Sequence, residues 1–317
     1  MKKDVVVDMT SGKIAPQILK FAMPVLLGLI FQRVYNFADS WIVGHFLGDN
    51  SLAAVSVAGV GMYLMFSVVI GLTTGVGVVM SQYYGAKKEE KVVETFFSSI
   101  YISLGVTVVM TVAGVLLARP LLILLQTPPE ILDEAVWYLQ VICAGTIGTM
   151  LYNWISSVLR SLGNSLVPLV FLGIACVLNV VLDVLLVAFT PLGVGGAAIA
   201  TVLAQLISGA GCLLYAWKLL PMLRFKKEKM KLNREVGKQV LKYGLPAAFQ
   251  MSIISVSDMI LIWNAAGGGK YLWNNAGSGI RGLCESRGSG DAGGRRAGQR
   301  ARYIYGTKCG SEEHFPH

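Results

Sequence analysis

Two aspartates stand inside long apolar stretches, where an ionised carboxylate costs about 2.5–3.5 kcal/mol on insertion scales. Asp39 and Asp183 each interrupt a stretch long enough to cross a lipid bilayer. Counted back from the ends of their stretches, the two carboxylates lie about 8 Å and about 10 Å from the same face of the membrane. Because charges at such depth are costly, we predict that the pair has a function.

Polar residues on neighbouring turns share this depth. Asn179 lies four residues before Asp183, on the same helical face. Thr201 falls at the same level in the next stretch, and Gln205 lies one turn deeper on its face. Asp39, Asn179 and Asp183 offer hard oxygen ligands that suit an alkali cation such as Na⁺. Two carboxylates in a dry site can instead hold a proton. A third possibility is plain hydrogen bonding between helices.

Two further residues are secondary candidates. Asn153 stands among apolar residues nearer the inner side of the membrane. Pro24 removes one backbone hydrogen bond, which produces either a static kink or a helix that bends as Asp39 gains or loses a cation. The sequence has no phosphate-binding loop of the Gly-x-x-x-x-Gly-Lys-Ser/Thr type. We therefore predict no enzyme activity, no cofactor and no ATP-driven pump.

The apolar stretches themselves indicate an integral membrane protein built of helices. Residues are 54% hydrophobic and only 14% charged, which is more apolar surface than a soluble protein of this size can bury. The net charge of +9 reflects loops that fix topology rather than nucleic-acid binding. We predict spans at 15–44, 52–80, 93–117, 135–158, 166–190 and 194–217, with a seventh starting near 242.

Lys and Arg fall on every second loop, starting with the N-terminus. This pattern predicts that the N-terminus and the basic segment 218–241 lie in the cytoplasm. The basic loops are the N-terminus with Lys2 and Lys3, the 87–91 loop, the loop with Arg160, and the 218–241 segment.

A short motif occurs twice: LKFAMP at 19–24 returns as LKYGLP at 241–246, and each copy leads into a stretch with one aspartate, Asp39 or Asp258. Six spans separate the copies, so we predict two parallel repeats. After about residue 262 the apolar pattern stops, and we predict a shifted reading frame there, which resequencing of the gene would test. The predicted domains are a six-helix lobe at 1–217, a cytoplasmic linker at 218–241, the start of a second lobe at 242–262, and a disordered, aberrant tail at 263–317.

Several motifs, in order, resemble those of the MATE (multidrug and toxic compound extrusion) transporters, in particular the bacterial branch of the DNA-damage-inducible F proteins. The resemblance covers about residues 11–262. The motifs are FADSWIVG at 37–44, LAAV at 52–55, LRSLGNS at 159–165, NVVLD at 179–183 and GVGGAAIAT at 193–201.

The resemblance implies twelve helices in two six-helix lobes, and export of cationic or amphipathic compounds driven by inward H⁺ or Na⁺. It implies cation coupling by Asp39, Asn179 and Asp183, and a bent first helix at Pro24. We expect a monomer in the bacterial cytoplasmic membrane. Helices 8–12 have no counterpart, so a truncated form is expected. The alternatives are a lipid-linked saccharide flippase, which would favour a strongly cationic cavity, and a membrane fragment that does not transport.

Overall fold

The computed structural model describes residues 14–219 and 233–265, with side chains for 15–218 and 233–257. Within those residues every regular element is an α-helix, which confirms the predicted all-α fold. The helices are α1 (Ile14–Leu47), α2 (Asp49–Gly85), α3 (Glu89–Leu124), α4 (Pro129–Ala144), α5 (Thr146–Ser161), α6 (Leu166–Ala188), α7 (Val194–Leu219) and α8 (Arg234–Ala265).

Five helices, namely α1, α2, α3, α6 and α7, are long and apolar enough to cross a membrane. The pair α4 and α5 counts as a sixth crossing if the two are one span bent by 49°. These six correspond in order to the six predicted spans. The described part of α8 does not meet the same test, so the seventh span stays a prediction. Residues 263–317 lie almost entirely outside the described residues.

The fourth predicted span, 135–158, is not one straight helix, because the helix is interrupted at Gly145: α4 ends at Ala144 and α5 begins at Thr146. A Cβ added there would lie only 2.1 Å from Val202 Cγ2 on α7. Only glycine permits this close approach between the fourth span and α7. Thr146 Oγ1 donates to the carbonyl of Cys143 at 2.7 Å, which satisfies one carbonyl at the break. The sequence prediction missed the break, since a single glycine in an apolar run is usually tolerated.

The helix α6 ends at Ala188, two residues before the predicted end of its span at 190. The other helices extend beyond the predicted spans, because backbone hydrogen bonding continues past the predicted boundaries. This changes the placement of Arg160, which the sequence analysis assigned to a loop. Arg160 lies in the last turn of α5. The helix α8 likewise begins at Arg234, ahead of the apolar stretch expected near 242. The helix α1 is unbroken from Ile14 to Leu47 and contains Pro24.

The buried apolar residues form two clusters, one towards each end of the bundle. The first joins the start of α2 with α4 and the facing ends of α1, α3, α6 and α7. The second joins the end of α2 with the start of α3, and with α5, the later part of α7 and the start of α8. We call these ends the α1–α2 end and the α2–α3 end, after the turns they contain. Large apolar side chains such as Leu116 and Phe189 remain on the outside, as expected for contact with lipid.

The helix α8 packs closely along α2 through small residues. A Cβ on Gly71 would lie 2.3 Å from the backbone nitrogen of Ala248, and one on Gly75 would lie 2.4 Å from the carbonyl oxygen of Val240. Small residues allow this close backbone approach, which is typical of helix pairs in membranes. The hydroxyl oxygens of Ser67 and Ser252 are 2.6 Å apart across the same interface.

Hydrogen bonds fix the start of α8 at the α2–α3 end. Tyr83 Oη donates to Gln239 Oε1 at 2.8 Å. The backbone N–H of Asn233 donates to Ser98 Oγ at 3.0 Å. The first part of α8 is therefore bound to α2, and the residue just before it is bound to α3.

Candidate cation site and cavity

The carboxylates of Asp39 and Asp183 face each other where α1 packs against α6. They lie close enough to interact directly. Asp39 is 7% exposed and Asp183 is fully buried at 0%. Within the described residues, Asp39 Oδ1 and both carboxylate oxygens of Asp183 have no hydrogen-bond donor. The structure thus places the two aspartates together, as their matching depth predicts.

Asn179 lies one helical turn before Asp183 on α6, and Thr201 and Gln205 lie on α7, which packs against α6. Asn179 Nδ2 donates to Thr201 Oγ1 at 3.2 Å. Asn179 Oδ1 and Gln205 Oε1 have no donor in the part of the chain described here. The three side chains line a small cavity of about 10 Å³, together with Tyr35. That volume suits one water molecule.

We call Asp39, Asn179, Asp183, Thr201 and Gln205 the oxygen cluster. Its chemistry follows from an excess of acceptors over donors. Among the described residues, the acceptor oxygens of the cluster without a donor are Asp39 Oδ1, Asn179 Oδ1, Asp183 Oδ1 and Oδ2, and Gln205 Oε1.

Buried polar atoms in proteins nearly always have a hydrogen-bond partner, so a group of five acceptors without one is unusual. A proton or an alkali cation would supply the missing positive charge. No group of three or more His, Cys, Asp or Glu side chains that could hold a metal ion occurs among the described residues. The carboxylate and amide oxygens of the cluster are hard ligands of the kind that suit an alkali cation.

Two tyrosines near the carboxylates escaped the sequence analysis. Tyr35 and Tyr138 are each close enough to interact electrostatically with both Asp39 and Asp183. Tyr35 lies one helical turn before Asp39 on the same face, so the i, i+4 spacing could have identified it. Tyr138 comes from α4, and no local pattern links it to α1 or α6.

A larger cavity, which we call the main cavity, adjoins the oxygen cluster. Its volume is about 150 Å³, and Thr201, Gln205 and Tyr35 line both this cavity and the small one. Pro24 and Asn153 also line the main cavity rather than the cluster. The two secondary candidates therefore lie on the wall of the cavity and not beside the aspartates.

The wall of the main cavity combines apolar and aromatic side chains with uncharged polar groups and one charged side chain, Arg160. Asn36 Nδ2 donates to Tyr63 Oη at 3.1 Å, which joins α1 to α2 at this wall. Asn153 Nδ2 donates to the carbonyl of Thr149 at 2.8 Å, which leaves its amide oxygen available. A wall of this type suits an amphipathic organic molecule.

Comparison with known proteins identifies the family. The MatE family model matches residues 24–185. The probable multidrug resistance protein YpnP of Bacillus subtilis is 34% identical over 258 residues, which is 80% of this chain and 57% of YpnP. The probable multidrug resistance protein NorM of Thermotoga maritima is 25% identical over 287 residues, 86% of this chain and 59% of NorM.

The same family appears among solved structures. A crystal structure of MATE in the bent conformation superimposes with a TM-score of 0.69 and 26% identity, over 75% of this chain and 53% of that one. The chain thus spans somewhat more than half the length of the relatives it matches. The predicted family is confirmed, whereas assignment to the DNA-damage-inducible F branch stays a prediction. With helices that form a multi-pass membrane bundle and a family model that matches half of its residues, this chain belongs to the MatE family.

Proposed function

We propose that this chain forms the first lobe of an exporter that couples the entry of H⁺ or Na⁺ to the outward movement of amphipathic compounds. One observation carries the proposal: two members of the donor-poor oxygen cluster, Thr201 and Gln205, also line the main cavity. A coupling ion and an organic substrate can therefore affect the same three helices, α1, α6 and α7.

Electrostatics suggests how the cation would act. Two carboxylates in a site of low polarity repel each other when both are ionised. A bound cation removes this repulsion and lets α1, which carries Asp39, pack more tightly against α6, which carries Asp183. The wall formed by α1 at the main cavity then moves with the cation site, and Pro24 stands in that wall. A ligand shifts a conformational equilibrium only through its differential affinity for the two states, and the oxygen cluster supplies that difference.

The charged residues at the two ends of the bundle indicate which end faces the cytoplasm. Lys87, Lys88 and Lys91 lie at the α2–α3 end of the bundle, and Asp49 and Glu134 lie at the opposite end. By the positive-inside rule, we place the α2–α3 end and the N-terminus in the cytoplasm, with the protein in a bacterial cytoplasmic membrane. In this orientation the oxygen cluster lies in the outer half of the membrane. We further propose that the exporter acts as a monomer.

Transport assays test the proposal in a two-lobe protein, in which residues 1–257 are followed by the second lobe encoded in the restored reading frame. In vesicles, this protein should export a fluorescent amphipathic dye when an inward H⁺ or Na⁺ gradient is imposed. Asp39→Asn and Asp183→Asn should each lower the gradient-driven rate at least about tenfold, because each removes one charge of the site.

Asp49→Asn provides the matched control, since Asp49 is exposed at the start of α2. Equal coupling in all four proteins would refute the assigned role of the carboxylates. Absence of transport from the unsubstituted two-lobe protein would refute the exporter and favour the alternative of a membrane protein that does not transport.

A further inference from the structure

Arg160 places a positive charge at the wall of the main cavity. It lies in the last turn of α5 and is half-buried. No carboxylate lies within ion-pair distance of it among the described side chains, where the ion pairs are Lys91 with Glu94 and Arg119 with Asp133. The residues that line the main cavity include no Asp or Glu. The guanidinium is thus the one ionisable charge among the lining residues.

The turn that follows Arg160 adds further hydrogen-bond donors. Asn164 is 1% exposed, and its Nδ2 has no acceptor within the described residues. Asn164 Oδ1 accepts a hydrogen bond from the backbone N–H of Val167 at 3.1 Å, which fixes the side-chain amide at the start of α6. Ser165 lines the main cavity beside it. The first turn of α6 contains no acidic residue that would satisfy its free N–H groups.

The region of Arg160 offers hydrogen-bond donors and a positive charge, whereas the oxygen cluster offers acceptors. Among the residues that line the main cavity, Gln205 has an amide oxygen without a donor within the described residues, whereas Arg160 brings a positive charge. The unpaired amide donor of Asn164 lies four residues after Arg160, next to the lining residue Ser165. A partly buried guanidinium without a counter-ion is unfavourable. An anion would provide the acceptors for this guanidinium fork, and the start of a helix adds to the attraction.

We propose that Arg160 binds the anionic group of an amphiphilic substrate whose apolar part occupies the main cavity. The substrate class is an organic amphiphile that carries a sulfonate, carboxylate or phosphate, either as an anion or as a zwitterion. This inference rests on the proposed function insofar as the main cavity is taken as the substrate site. It narrows the expectation of cationic or amphipathic substrates from the family resemblance to amphiphiles that carry an anionic group.

Binding of two fluorescent probes with the same aromatic skeleton tests the proposal on the chain itself. Anilinonaphthalene sulfonate carries a sulfonate, and phenylnaphthylamine is its uncharged counterpart. Binding is measured in phosphatidylcholine nanodiscs, with empty nanodiscs subtracted. Arg160→Gln should weaken sulfonate binding about tenfold or more, since a hydrogen bond to a charged group contributes about 1.5–3 kcal/mol. Binding of the uncharged probe should change less than about twofold.

Two variants serve as controls. Arg119→Gln removes a positive charge from an exposed ion pair with Asp133, whose atoms are 3.2 Å apart, and Arg119 does not line the main cavity. It should leave both probes unaffected. Arg160→Lys keeps the charge but not the planar fork, so sulfonate binding should fall between wild type and Arg160→Gln. Equal effects of Arg160→Gln on both probes, or no effect on either, would overturn the proposal.

The source of the anionic group is identified by a second set of nanodiscs that contain phosphatidylglycerol. If the lipid headgroup occupies the site, phosphatidylglycerol should displace the sulfonate probe from wild type. If the ligand is a soluble amphiphile, displacement should be absent while the Arg160 dependence persists. If Arg160→Gln affects the sulfonate probe and the uncharged probe alike while the two-lobe protein still transports, only this inference is refuted. If the two-lobe protein does not transport while Arg160→Gln still weakens binding of the sulfonate probe alone, only the proposed exporter is refuted.

Discussion

Replacement of Asp183 by Asn is expected to stabilise the folded chain and, at the same time, to abolish its response to cations. Asp183 is fully buried against Asp39, and neither of its oxygens has a donor within the described residues. The substitution removes one of two like charges and supplies an N–H₂ group to oxygens that lack a partner. We expect a gain of about 1–3 kcal/mol, which is the cost of a buried polar group without a hydrogen bond. A functional residue commonly has such a cost in stability.

Thermal unfolding in detergent measures both effects. In choline chloride at alkaline pH, where repulsion between the carboxylates is strongest, Asp183→Asn should unfold at a higher temperature than wild type. Addition of Na⁺ or protons should then raise the unfolding temperature of wild type and leave the variant unchanged, because only a ligand that binds the folded state stabilises it. Asp49→Asn should behave like wild type in both respects. A variant that is destabilised and still responds to cations would show that Asp183 has a structural role.

Substitution of Gly71 by Val is expected to separate α8 from α2. A Cβ at Gly71 would lie 2.3 Å from the backbone nitrogen of Ala248, and a backbone atom cannot move aside as the end of a flexible side chain can. The two helices must therefore separate, with loss of the contact between Ser67 and Ser252 and a cost of about 3 kcal/mol, the upper end of the usual range for overpacking. Gly59→Val, also on α2, is the matched control, because a Cβ at Gly59 meets nothing within 4 Å.

Disulfide formation reports on this contact directly. The hydroxyl oxygens of Ser67 and Ser252 are 2.6 Å apart, so cysteines at these positions fall within reach of a disulfide bond of about 2 Å. In a background from which the five native cysteines have been removed, Ser67→Cys with Ser252→Cys should form this bond on mild oxidation. Gly71→Val should suppress the crosslink and Gly59→Val should not. Equal crosslinking in both would show that α8 tolerates the side chain at Gly71.

The sequence is most informative where a residue type is costly in its surroundings. Asp39 and Asp183 stand out because a charge in an apolar span needs a reason, and counting residues from the ends of two spans placed them at the same depth. Asn179 was found by its spacing of four residues from Asp183. The six spans were found by hydropathy. Most of their predicted ends fell short of the helix ends, whereas the fifth span was predicted two residues longer than α6.

Features that depend on contacts between distant elements were missed. The break at Gly145 is decided by Val202, and Tyr138 reaches the carboxylates from a helix with no sequence relationship to α1 or α6. Arg160 appeared to be a loop charge, because the hydropathy pattern ends before the helix does. The packing of α8 on α2 depends on glycines that face each other only in three dimensions. Single-sequence patterns describe one helix at a time and contain no direct information on such pairs.

Cation binding by the purified chain is the most direct test of the oxygen cluster. Equilibrium binding of radioactive sodium, together with proton uptake measured by a pH-sensitive dye, should show one cation bound per chain, either as Na⁺ that protons displace or as a proton taken up. We predict that Asp39→Asn and Asp183→Asn each abolish this binding, and that Asp49→Asn retains it. Cation binding that persists in both Asp39→Asn and Asp183→Asn, or the absence of any saturable uptake by wild type, would contradict the assignment of the cluster as a cation site.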